Sequence, residues 1–155
     1  MSDDSRPSLL LIVTGSTLRA EEADRPLAYY LKQQVEQTLE ASDGEFEPIE
    51  VLVVSDLGWL NEEDLQDLPA ISLGGPGVNR LTRHWLEELP LSLAVDEQYY
   101  IQMDPDFDEP HVSIWGMDNP NTQIAVSVFL QRFLPRFLRH CSDLEPESPT
   151  DLDDE

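Results

Sequence analysis

A chain of 155 residues with 40% hydrophobic content is long enough for one domain with a real core and too short for two ordinary ones. Its 32 acidic residues against 9 basic ones give a net charge of −23, with Lys32 the only lysine. That balance argues against duplex DNA or an anionic membrane as partner, since both demand dense Lys and Arg. Cys141 is the only cysteine, so no intrachain disulfide is expected and nothing points to an oxidising compartment.

Two readings account for the acid excess. Carboxylates keep a protein hydrated in a salty cytoplasm, where counterions screen their repulsion, or they form an acidic face for a basic protein partner. Only Asp143, Glu145, Glu147, Asp151, Asp153, Asp154 and Glu155 follow Cys141, so the body of the chain is itself acidic. Residues 1–8 and 142–155 are poor in core residues and are expected to be disordered, which leaves 9–141 as a single α/β domain. The first apolar run follows Asp3 and Asp4 and is too short for a signal core, and a soluble, cytoplasmic protein is the expectation.

In chain order, Leu9 to Val13 is a continuous apolar run closed by Thr14-Gly15-Ser16-Thr17, the pattern of a strand buried on both faces. Asp24 as cap and Pro26 in the first turn predict a helix to about Ala41, with Leu27, Leu31, Val35 and Leu39 on its apolar face and Asp43-Gly44 as its stop. Ile49 to Val54 predicts a second strand, and Asn61 before Glu62, Glu63 and Asp64 predicts a short capped helix. Ala70 to Leu73 predicts a third strand. After it, Val78, Leu81, Thr82, Trp85, Leu86 and Leu89 share one helical face, with Pro90 as the stop. Between Leu93 and Trp115, Tyr99, Ile101 and Met103 alternate with polar residues, an Asp/Pro-rich segment intervenes, and Val112 and Ile114 resume, which predicts a hairpin. The last helix runs from about Asn121 to Arg139, with a kink or break near Gln131 to Leu134 imposed by Pro135.

This order predicts a three-layer α/β sandwich, Rossmann-like or flavodoxin-like, with a mostly parallel sheet and an antiparallel hairpin. In such a sheet the loops that leave the strands gather at one edge, where ligands bind. Gly74, Gly75, Gly77 and Asn79 then offer backbone and amide contacts, and Thr14, Ser16 and Thr17 offer hydroxyls. Asp56 lies at the same edge, and Asp118 and Thr122 form an opposite wall. Arg80, Arg83 and His84 add a basic cluster that favours an anion. The competing account is structural: the glycines make a tight turn, Asn79 caps the next helix, and the arginines pair with surface acids. Trp59, beside Gly58, is the aromatic placed for ligand contact, with loop packing as its alternative.

The stretch Ser72-Leu73-Gly74-Gly75-Pro76-Gly77-Val78-Asn79, followed by Gly116-Met117-Asp118-Asn119-Pro120-Asn121-Thr122, resembles a module of archaeal surface-layer proteins. There a strand ending in Gly-Gly-Pro-x-x-Asn precedes one ending in Gly-x-Asp-x-x-x-Thr before an Ala-rich helix. The resemblance covers roughly Ile71 to Val128 and implies an α/β module without known catalysis; the module is carried over and its exported location is not. Thr14-Gly15-Ser16-Thr17 looks like part of the flavodoxin phosphate loop, which would imply FMN. It departs from that loop at Ile12, where a hydroxyl is wanted, and in the delay of the helix by Leu18 to Ala23. His84, His111, His140 and Cys141 form no spacing of a metal site or catalytic pair, and no resident cofactor or metal is expected. The function read from the sequence is therefore binding of a small polar or anionic ligand at the strand-end loops, without named chemistry. An interaction module using the acidic surface and tail is the rival, and an FMN redox protein comes third.

Overall fold

Apolar runs that neither alternate nor carry charge are stable only inside, and here they become the inner strands of one six-stranded sheet. The computed structural model describes residues 8–41, 49–86, 91–95, 98–103 and 110–143. Its strands are β1 (Ser8–Thr14), β2 (Ile49–Ser55), β3 (Ala70–Leu73), β4 (Leu91–Val95), β5 (Tyr99–Met103) and β6 (His111–Gly116), ordered β2-β1-β3-β6-β5-β4. β1 pairs in parallel with β2 and β3, and β3 in parallel with β6. The meander β4-β5-β6 supplies the antiparallel pairs. The expected fold class is observed, with three strands rather than two in the antiparallel part.

The helices are α1 (Leu18–Ala41), α2 (Asp56–Asn61), α3 (Glu63–Gln66), α4 (Arg80–Trp85), α5 (Asn119–Arg132) and α6 (Leu134–Asp143). Because side chains alternate across a strand, Leu10 and Ile12 of β1 meet Ala28, Leu31 and Val35 of α1 and Phe129, Phe137 and Leu138 of α5 and α6 on one face. Leu11 and Val13 meet Trp59, Leu81 and Trp85 on the other. This produces the three layers, with β1 enclosed on both sides.

Four expectations are corrected. α1 begins at Leu18, not near Asp24: the Thr17 hydroxyl accepts from the Ala20 N–H at 3.2 Å, the Thr17 carbonyl from Glu21 at 2.9 Å, and Leu18 to Ala23 are good helix formers. Pro26 is carried inside this helix rather than opening it. Asp56, expected among the strand-end loops, opens a helix, with the Ser55 hydroxyl capping it by accepting from Gly58 at 3.0 Å. Asn61 ends that helix and caps nothing after it, since Glu62 occupies the cap position of α3. α4 ends at Trp85, short of Leu89.

At the C-terminal side the break imposed by Pro135 is observed, with α5 ending at Arg132 and α6 starting at Leu134. The expected disordered ends lie largely outside the described residues, as do Asp43-Gly44, Pro90 and the Asp/Pro-rich segment 104–109. Among the described residues no helix is long and apolar enough to cross a membrane.

Candidate functional site

β1 leads to β2 on one side and β3 lies on the other, so the strand order reverses between β1 and β3. Crevices beyond the carboxyl ends of strands at such a reversal are where open α/β sheets bind ligands. The loops after β1, β2, β3 and β6 all emerge at that edge.

Three of these loops are fastened to one another. The Ser16 hydroxyl donates to Oδ1 of Asp56, a residue only 1% exposed, and the Arg80 N–H donates to its Oδ2 at 2.8 Å. Asn79, equally buried, donates through Nδ2 to the carbonyls of Val13 at 3.0 Å and Leu73 at 2.9 Å. Its Oδ1 accepts from the N–H groups of Leu81 at 2.8 Å and Thr82 at 3.2 Å. All four hydrogen-bonding positions of that amide are filled. The backbones also touch: a Cβ at Gly15 would come 1.8 Å from the Val78 carbonyl oxygen, so only glycine fits there.

The α4 N-terminus therefore does not offer open N–H groups to a ligand, as the sequence suggested. Arg80 donates to Asp56, Leu81 and Thr82 donate to the Asn79 side chain, and Arg83 donates to the Asn79 carbonyl at 3.1 Å. The Asp56 carboxylate occupies the place an incoming anion would take.

The β3 and β6 loops face each other differently. Gly74, at φ 109°, turns the chain where a Cβ would approach the Asp24 carboxylate to 2.7 Å. The N–H groups of Val78 and Asn79 close the turn on the Gly75 carbonyl at 3.1 and 2.9 Å, a turn in which the N–H groups of Gly75 and Gly77 are not used. Across from it, the Gly116 N–H donates to the Thr122 hydroxyl at 3.0 Å, and that hydroxyl donates to the Asp118 carbonyl at 3.1 Å. Asp118 caps α5, its Oδ1 accepting from the Asn121 N–H at 3.0 Å and the Asn121 amide at 2.8 Å. Between these loops and α1 lies a cavity of about 250 Å³ walled by Asp24, Gly75, Gly77, Asp118 and Thr122. A second cavity of about 430 Å³, which shares Gly77 and Val78 with the first, is walled by Thr17, Asp56, Arg80 and Arg83.

Of the residues singled out in the sequence, Gly75, Gly77, Asp118 and Thr122 line the first cavity, and Thr17, Asp56, Gly77 and Asn79 the second. Thr14 ends β1 fully buried, Ser16 is tied to Asp56, and Gly74 packs against Asp24. Trp59 is in the core, edge-on to Trp85 at 5.8 Å, so it is not placed for ligand contact. Asp24, which the sequence offered only as a helix cap, is a wall of the first cavity. No local signal marked it, because its place depends on the β3 loop arriving beside α1.

The loop chemistry does not suit FMN. With α1 starting at Leu18, the β1 loop does run straight into a helix, which removes one departure from the flavodoxin pattern. However, the Thr17 hydroxyl caps α1, the Ser16 hydroxyl is given to Asp56, and a carboxylate beside the loop repels phosphate. Among the described residues no group of three or more His, Cys, Asp or Glu is arranged to hold a metal ion. Cys141 lies at the opposite end of the sheet, near Ser8 and Pro69, where burial pushes its thiol up and keeps it protonated. No family model matches the chain, and no curated protein matches it either.

Proposed function

We propose that this chain binds a small polar ligand at its strand-end loops and carries no chemistry of its own. The observation that supports this reading most directly is the cavity between the β3 and β6 loops, where the Gly75 and Gly77 N–H groups stand outside the turn they belong to. Backbone N–H groups of that kind, beside a threonine hydroxyl and carboxylates, bind polar ligands through directional hydrogen bonds. Gly77 adds to the argument. Nothing lies within 4 Å of the Cβ it lacks, so packing does not demand glycine there. Its missing side chain instead leaves open space where Gly77 lines both cavities.

A screen of small polar metabolites by ligand-observed NMR tests the proposal, with Gly77→Val as the blocking variant. The expected result is a ligand whose signal broadens with the natural chain and not with Gly77→Val at unchanged melting temperature. A ligand that binds both equally moves the site away from these loops.

A further inference from the structure

The sheet ends in two unlike edges. β4 has five residues, and its register with β5 shifts between Leu91 and Leu93, an irregularity of the kind that turns an edge away from further pairing. β2 has seven, in unbroken register with β1 from Ile49 to Ser55, and carries no proline, lysine or bulge to guard it. Among the described residues no strand pairs with its outer side. Ile49, Val51 and Val53 join the core cluster that holds Leu31 and Val35 of α1. On the opposite face Leu52, the middle residue of β2, is 37% exposed, and Glu50 is exposed on that same face.

The surroundings are acidic. α1 and α2 both contact β2, and α3 contacts α2. Across residues 31–41 and 49–66 the only base is Lys32, already paired with Glu36 at 3.2 Å, while Glu40, Glu50, Glu62, Glu63 and Asp64 are exposed. We propose that the outer edge of β2 accepts an extended, basic segment of another protein as an added strand. In strand addition the backbone groups of an open edge supply affinity, and alternate side chains supply selectivity. An apolar centre packs on Leu52, and flanking lysine or arginine meets Glu50 and the acids of the adjoining helices. A second copy of the chain fits worse, because it brings the same acids and another net −23 to the joint. β2 walls neither strand-end cavity, so this surface and the ligand site stand or fall separately.

The test is titration of the full chain with a peptide matched to β2 in length, a valine-rich centre between pairs of lysines, read by calorimetry and by backbone amide shifts. The control is the same peptide N-methylated at every residue, which keeps the charge and lacks the N–H donors. The unmethylated peptide is expected to bind with shifts centred on Ile49–Ser55, and the control not to bind. Glu50→Lys and Leu52→Lys, both at exposed positions, are each expected to weaken binding about five-fold at unchanged melting temperature, the scale of one cross-strand contact. Equal binding of the control, or shifts spread over the whole surface, overturns the proposal, since bulk charge then suffices. Absence of binding overturns it as well. So does self-association of the chain that Leu52→Lys disperses, which makes a second copy the occupant of the edge.

Discussion

The junction of the β1 and β3 loops is riveted shut, whereas the junction of the β3 and β6 loops encloses open space, although Asn, Asp, Thr and Gly build both. At the first, the side chains of Asn79 and Asp56 reach across to other loops, so each polar atom locks two segments together. At the second, Asp118 and Thr122 bond back onto their own turn. The difference teaches that the reach of a polar side chain, local or long-range, decides whether a loop junction becomes a fastening or a wall.

Four substitutions break or sharpen this contrast. Gly15→Ala has the largest expected effect: its Cβ would meet the Val78 carbonyl, the riveted loops must part, and stability falls by about 4 kcal/mol or more. Urea denaturation measures it, and a small loss would show that the two backbones are not held in contact. Next comes the pair Asn79→Ala and Asp118→Ala. The first removes the amide's hydrogen bonds to the Val13 and Leu73 carbonyls and uncaps α4, for about 3 kcal/mol. The second removes a cap at an exposed turn, for about 1 kcal/mol. Equal losses would erase the distinction between fastening and wall. Smallest is Gly77→Val, expected to change stability by less than about 0.5 kcal/mol, because its side chain points into space. A large loss there would mean that glycine serves the fold and not the open space it leaves beside the cavities.

Much of the fold was legible because its signals are local. The run at Leu9 to Val13 has no alternation and reads as a buried strand, Ile49 to Val54 reads as a strand and forms the sheet's edge, and Pro135 forecasts the break between α5 and α6. The start of α1 was misread because Pro26 is a stronger visible signal than the Thr17 cap, although the helix formers from Leu18 to Ala23 outweigh it. The site was legible only as a set of loops. Asn79 bonds a carbonyl 66 residues earlier and Asp56 an N–H 24 residues later, and no spacing in the chain announces either partner. Asp24 became part of a wall for the same reason.

The helix that follows the break at Pro135 completes the core that begins at β1. β1 precedes every other described element in the chain and is covered on both faces, yet Leu134, Phe137, Leu138 and Cys141 of α6, the last described helix, close the cluster around its Leu10 and Ile12. β6, needed to extend the sheet beyond β3, also comes late. A nascent chain stalled before Leu134 therefore holds this strand with one face only partly covered, by α1 and α5.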